Sequence, residues 1–396
     1  MRNAKHEVPA APLEGIRVVD LTSVIMGPFG TRILADMGAD VIKVEPPEGD
    51  GLRPATGGRI GANMLNLYRN KRSITLDLKT EPDRERMRAL IRTADVLVHN
   101  LRPQVMARLG FTYAEVRRLN PDIVYCAAHG FGSDGPYGHK PAYDDLIQAS
   151  SGYASTAVPL TGEPAYASAV ICDKLAGQAI AYAILGALLH RERGGGGQAV
   201  EVPMFETAID FNLVEQFGQA TYVPARGPPG YPRIQSRERR PFRTADGYAC
   251  ILPYSAKNWF DFLDFVGRSD WKSDDRFRER DQRNAHIDIL YAMIREEAPK
   301  RTTAEWVAFC DSADIPCMPV IGLAELADDP HVQAVGLMPV VEHPTEGPYH
   351  ALRSPIRFSK APYRLRRHAP GPGQDTEEIL RELEPSRLSE QGADAD

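Results

Sequence analysis

Between residues 16 and 127 the chain alternates short apolar runs with helical patterns, and this alternation constrains the fold more than any other feature. Ile16-Arg-Val-Val-Asp-Leu21 and Asp40-Val-Ile-Lys-Val-Glu45 read as strands, the second closed by Pro46 and Pro47. Residues 73–78 are strand-like, and residues 95–99 and 122–127 read as further buried strands. Helical spacing occupies residues 29–37 and 81–93, the latter with Met87, Leu90 and Ile91 on one face. Strands alternating with helices at these spacings predict a parallel, doubly wound sheet of the α/β class.

A chain of 396 residues is too long for one small core, so two domains are expected. The longest apolar helical pattern runs over residues 173–190 and opens on Asp173. A helix apolar on all sides is normally buried. Its leading carboxylate therefore has two readings: an N-cap that accepts a backbone N–H, or a partly desolvated group available for chemistry. Lys174 and Gln178 interrupt the run, which by this reading falls short of the roughly 18 apolar residues of a membrane span. After it come Gly194 to Gly197, a strand at 199–202 and a helix at 204–220. The Pro-, Gly- and Arg-rich residues 223–240 read as a linker. The expected division is a large domain over 1–222, a small domain over 241–320, and a linker with a C-terminal segment over 321–396.

Composition excludes several classes. A formal net charge of −6 argues against a chain built to bind nucleic acid. The five cysteines are scattered and in no metal-ligand spacing, as in reduced cytosolic proteins. Met-Arg-Asn-Ala-Lys-His-Glu7 has no apolar stretch behind it, and no signal peptide is read there. A soluble, cytoplasmic protein with no membrane partner is expected. The polar tail from Pro385 is expected to fray.

Motifs narrow the chemistry further. Gly194 to Gly197 follow a helix and precede a strand, the reverse of a phosphate cradle, so they read as a helix stop. Gly27 and Gly30 alone do not make a dinucleotide fingerprint. His129-Gly-Phe-Gly-Ser-Asp-Gly-Pro-Tyr137 follows a strand end, where α/β folds bind ligands or simply turn tightly. Of Asp144 and Asp145 one is expected to cap the helix that follows. Arg102 and Arg108, after another strand end, could meet an anion or be solvated, and Asn70-Lys-Arg-Ser73 is a similar basic segment. No spacing suggests a metal site or a serine-hydrolase elbow.

Taken in order, these segments resemble the class III CoA-transferase family. The resemblance is carried by Leu13-Glu-Gly-Ile-Arg-Val-Val-Asp-Leu21, Gly38-Ala-Asp-Val-Ile-Lys-Val-Glu-Pro46, Asn70-Lys-Arg-Ser-Ile-Thr-Leu-Asp-Leu78 and Ala94-Asp-Val-Leu-Val-His-Asn100. Gly130-Phe-Gly-Ser-Asp-Gly-Pro136, Ala142-Tyr-Asp-Asp145, Gln148-Ala-Ser-Ser-Gly152, Asp173-Lys-Leu-Ala-Gly177 and Gly197-Gln-Ala-Val-Glu-Val202 continue it. The family includes formyl-CoA transferase, carnitine CoA-transferase and the α-methylacyl-CoA racemases.

The resemblance implies a large Rossmann-like CoA-binding domain, a smaller inserted α+β domain and an interlocked homodimer. It implies Asp173 as the nucleophile, attacking a thioester to give an aspartyl mixed anhydride and CoA thiolate. Val24, Leu76, Asn100, Leu101, Arg108 and Lys140 would line the CoA site, with Tyr143 by the acyl group. The partners would be an acyl-CoA and a free carboxylic acid, dicarboxylic acids included. Coenzyme A would be a substrate, with no cofactor bound permanently.

Racemases of the family carry a His-Asp pair where this chain has Tyr143-Asp144, and His129 lies in a different turn and is a poor substitute. Transfer is therefore expected over racemisation. Ile25 stands where formyl-CoA transferase has an oxalate-holding glutamine, and Arg226, Arg237, Arg239, Arg240 and Arg243 are candidates to grip a larger dicarboxylate. The alternatives are a racemase or epimerase, or a CoA-binding protein without catalysis.

Overall fold

The structure is a computed structural model that describes residues 11–53 and 60–384. The N-terminal heptapeptide and the tail from Pro385 lie outside the described residues. In chain order the first elements are β1 (Arg17–Asp20), α1 (Met26–Asp36), β2 (Asp40–Glu45), α2 (Ala62–Leu67), β3 (Lys71–Thr75) and α3 (Glu81–Thr93). They are followed by β4 (Val96–His99), α4 (Pro103–Leu109), α5 (Tyr113–Leu119), β5 (Val124–His129), α6 (Asp144–Ser150), the short α7 (Val158–Thr161), α8 (Ile171–His190) and β6 (Ala199–Pro203).

β1 to β6 form one sheet in the order β3-β2-β1-β4-β5-β6, every pairing parallel. Successive strand residues point to opposite faces, and the two cores divide accordingly. Val18, Val41, Val96, Val98, Val124 and Cys126 pack with Ala176, Ile180 and Ile184 of α8 on one face. Val19, Ile42, Leu97 and Tyr125 pack with Met87, Leu90 and Ile91 of α3 on the other. Strand order reverses between β1 and β4, so the loops leaving those two strands diverge and open a crevice at their carboxyl ends.

α8 begins at Ile171 with Val170 as its N-cap residue, and no side chain caps it. Asp173 is therefore inside the first turn, and the capping reading does not hold. By length and composition this helix is sufficient to cross a membrane, contrary to the sequence expectation: its most apolar window has mean hydropathy 1.3. That window is 56% buried, and the helix packs along α1 and against β5 and β6, so it is a core helix. Two glycines set its distance from α1. A Cβ on Gly177 would lie 2.7 Å from the Met26 carbonyl, and one on Gly30 would lie 2.6 Å from the Gly177 carbonyl. Gly194 (φ 89°) and Gly196 (φ 73°) end the helix and turn the chain into β6, as expected of a helix stop.

β3 begins at Lys71, earlier than expected, because its basic residues are satisfied inside the fold. Arg72 is paired with Asp40, Glu378 and Glu382. Asn70 bonds Asp36 and the Arg364 carbonyl. The Ser73 N–H donates to Asp375, which binds the C-terminal segment to the sheet edge. The basic segment at 70–73 is thus structural and faces no ligand cavity of the site.

The chain divides into two compact units. One comprises residues 1–151, 167–209 and 330–396, and the other residues 152–166 and 210–329. The second unit has a three-stranded antiparallel sheet of Phe242–Arg243, Tyr248–Ile251 and Cys317–Pro319. Its core gathers Trp259, Phe262, Leu290, Ile294 and Trp306.

Candidate active site

The crevice between β1 and β4 rests on a buried ion cluster. Asp20 ends β1 and accepts from the Thr22 N–H (2.9 Å), the Thr31 hydroxyl (2.6 Å) and Lys71 Nζ (3.2 Å). Lys43 Nζ donates to the Thr22 carbonyl. Burial opposes the Asp20 charge, yet Lys71 and Lys43 hold its carboxyl below the ordinary range. Burial lowers Lys71 to about 8 against the pull of Asp20.

On this base the loop after β1 is clamped group by group. The Ser23 N–H donates to Asn100 Oδ1 (2.9 Å), and Asn100 Nδ2 donates to the Ser23 carbonyl (3.0 Å). The Val24 N–H donates to Asp50. Val24 has φ 66°, a left-handed conformation that costs a β-branched residue about 1–3 kcal/mol. The strain survives because its neighbours over-determine the loop.

Asp173 lines a cavity of about 210 Å³ together with Val24, Asn100, Lys140, Tyr143 and His129. Asp144 is buried and accepts the Asp173 N–H (2.9 Å) through one oxygen and Gln148 Nε2 (2.5 Å) through the other. One of Asp144 and Asp145 was expected to cap their helix; no side chain caps it, and Asp144 holds the start of α8. Burial, and then the Asp144 charge, raise the Asp173 carboxyl to about 6. A carboxylate in this state is poorly solvated and ionised near neutrality, which suits a nucleophile.

A second cleft of about 680 Å³ is lined by Leu76, Leu101, Val105 and Arg108, with Pro46, Pro47, Lys43 and Lys79. Ser23 lines both spaces. The residues singled out in the sequence therefore fall into two adjoining groups: Asp173, Val24, Asn100, Lys140 and Tyr143 in the smaller, Leu76, Leu101 and Arg108 in the larger. Tyr143 is exposed, and Lys140 lies over the Tyr137 ring at 4.3 Å. Arg102 also lines the smaller cavity. Ile25 instead packs towards Ile60, Met64 and Tyr68, and Arg226, Arg237, Arg239, Arg240 and Arg243 are exposed on the second unit.

Sequence reasoning passed over several neighbours. His129, set aside as lying in another turn, shares the cavity with Asp173 and has Nδ1 3.2 Å from the Glu201 carboxylate. His99 beneath it bonds the Tyr125 hydroxyl (2.9 Å), and burial lowers it to about 3, so it stays neutral. The glycines after β5 serve packing: a Cβ on Gly130 would lie 2.1 Å from that of Ala142, and one on Gly138 2.9 Å from the Gly132 carbonyl. They let residues 138–142 close over the strand end. Asp50 gave no motif signal, since its role depends on a loop conformation.

The CoA-transferase family III profile matches residues 13–376. The chain belongs to this family. It is 34% identical to a succinate–glutarate CoA-transferase of Agrobacterium fabrum, covering 94% of this chain and 96% of that one. It is 32% identical to a formyl-CoA:oxalate CoA-transferase of Afipia carboxidovorans, with 94% of each chain covered. Among solved structures, Rv3272 of Mycobacterium tuberculosis superposes with a TM-score of 0.81 at 30% identity, over 94% of this chain and 100% of that one. A CAIB/BAIF family protein of Brucella suis gives 0.81 at 29% identity, over 94% and 100%. The protein is a class III CoA-transferase, and CoA thioesters are the substrates of such enzymes.

Proposed function

We infer that this enzyme moves CoA between an acyl-CoA and a small carboxylic acid through a mixed anhydride on Asp173. The observation that carries the reading is the Asp173 carboxylate itself, raised to about 6 in a cavity that adjoins a larger cleft, where Leu76, Leu101 and Val105 sit with Arg108 and Lys79 and with Glu45, Glu48, Asp50 and Asp77. In this reading Leu76, Leu101 and Arg108 hold the nucleotide end of CoA, Arg108 near its phosphates. Val24, Asn100 and Lys140 border the path to the thioester, and Tyr143 stands by the acyl group.

An Asp173 oxygen attacks the thioester carbonyl carbon, the C–S bond breaks, and CoA departs as thiolate. Exchange of one acid for the other on the aspartyl group, and return of the thiolate to the new acyl carbon, restores the Asp173 carboxylate. No net proton is consumed. A covalent carboxylate divides one difficult acyl exchange into easier steps. The two relatives above are named for dicarboxylic acids, succinate and glutarate in one and oxalate in the other, which supports a dicarboxylic acid as one substrate here. Val214, Val223 and Leu323, 83%, 98% and 90% exposed, support coverage of the second unit by another copy in a homodimer.

Asp173→Ala is expected to lower transfer from succinyl-CoA to a carboxylic acid acceptor by about a thousandfold or more. Wild-type transfer rates in the purified variant would exclude the anhydride. Deuterium entering the α-carbon of an acyl-CoA without change of acyl partner would favour a racemase instead.

A further inference from the structure

Three non-glycine residues among those described have positive φ: Val24, Asn70 and Asp314. Asn and Asp tolerate this region, whereas a β-branched residue does so only when its surroundings impose it. At Val24 the imposing group is Asp50. Its carboxylate, in a residue 4% exposed, takes the Val24 N–H at 3.2 Å on Oδ2 and 3.4 Å on Oδ1.

Asp50 is fixed independently of Val24. The Tyr68 hydroxyl donates to Oδ2 (2.7 Å) and the Leu52 N–H to Oδ1 (3.0 Å). Burial, with the Asp50 charge next, keeps the Tyr68 phenol protonated far above its ordinary range. The Asp50 N–H in turn donates to Glu45 (3.1 Å), which Arg53 grips at 2.7 Å. Asp50 lines the larger cleft and Val24 the smaller cavity, so one carboxylate sets the ledge between them.

We propose that Asp50 is a positioning residue for the CoA thioester: by holding the Val24 N–H it keeps Val24 left-handed and so preforms the ledge between the two spaces. If Val24 relaxed to negative φ, its N–H would turn from Asp50 and its side chain would move on that ledge. The proposal rests on the CoA-transfer reading for its kinetic consequence, but not for the clamp itself.

The first measurement is amide hydrogen exchange of the peptide spanning residues 21–26 in the unliganded protein. Asp50→Ala is expected to speed exchange there about tenfold; unchanged protection overturns the clamp whatever the enzyme's activity. The second is steady-state transfer. Asp50→Ala is expected to raise KM for the acyl-CoA about tenfold with kcat within about twofold. Asp50→Asn keeps a side-chain oxygen that can accept the Val24 N–H and is expected to hold KM within about threefold of wild type. An unchanged KM in Asp50→Ala, or an Asp50→Asn variant as impaired as Asp50→Ala, overturns the proposal. Should Asp50→Ala not fold, Tyr68→Phe removes only the phenolic donor and is expected to raise KM about threefold; no rise there overturns it equally. A wild-type enzyme that transfers no CoA would sink the transfer reading, while the exchange measurement would still decide the clamp.

Discussion

Asp20 and Asp173 are two carboxylates of the same unit with opposite electrostatics. Burial raises the carboxyl in both. At Asp20 two buried lysines overcome it and the group stays ionised below its ordinary range, fully satisfied by Thr22, Thr31 and Lys71. At Asp173 the nearest charge is another carboxylate, Asp144, which adds to burial and lifts the group to about 6. Depth alone does not set the charge state of a buried carboxylate; its partners do.

Removing Asp20 should have the largest effect on folding. Asp20→Ala leaves Lys43 and Lys71 buried beside each other without their anion, an expected loss of about 3–5 kcal/mol in denaturant unfolding. A loss below about 1 kcal/mol would dissolve the contrast. Asp173→Asn should act in the other direction. The native carboxyl, at about 6, lies above its unfolded value of 3.8. Between those values the native state binds more protons, so stability falls as pH rises across that window and levels off above it. The amide carries no charge, so the variant is expected to match wild type near pH 4 and to melt higher near pH 7. A lower melting temperature at pH 7 would place Asp173 with Asp20 as a structural group.

The smallest effect is expected at Asp144. Asp144→Asn removes the second cause of the raised Asp173 carboxyl, so the acid limb of transfer, where activity rises with ionisation of Asp173, should shift to lower pH. It should stay above the ordinary carboxylate range, because burial is the larger cause. An unmoved limb would detach Asp144 from the tuning of Asp173.

Much of this was legible in the residues. β2 and α3 fall on the expected residues because their apolar spacing and flanking prolines leave little choice. The resemblance implied one CoA site for Val24, Leu76, Asn100, Leu101, Arg108 and Lys140; these residues line two adjoining spaces, Leu76, Leu101 and Arg108 the larger and the others, with Asp173, the smaller. The errors share a cause. A cap was one of two readings of Asp173, one of Asp144 and Asp145 was expected to cap its own helix, and Asn70 to Ser73 stood as a basic segment that could meet an anion or be solvated, because each was judged by its neighbours in sequence. Their actual partners are distant: Asp144 for the Asp173 N–H, Asp20 for Lys71, and Glu382 for Arg72. His129 was set aside as lying in another turn for the same reason, since its cavity is shared with residues from other loops.

The sequence by itself determined the parallel sheet, the covering helices and the presence of a carboxylate at the head of an apolar helix. Periodicity and glycine placement are local properties, and they act over the few residues of one turn or strand. Only the tertiary structure decided what that carboxylate faces. Its charge state depends on burial and on Asp144, and the ledge beside it on Asp50 holding Val24 in a strained conformation. These are interactions between groups far apart in the chain, on the loops after β1 and β2 and at the starts of α6 and α8, and no local pattern encodes them.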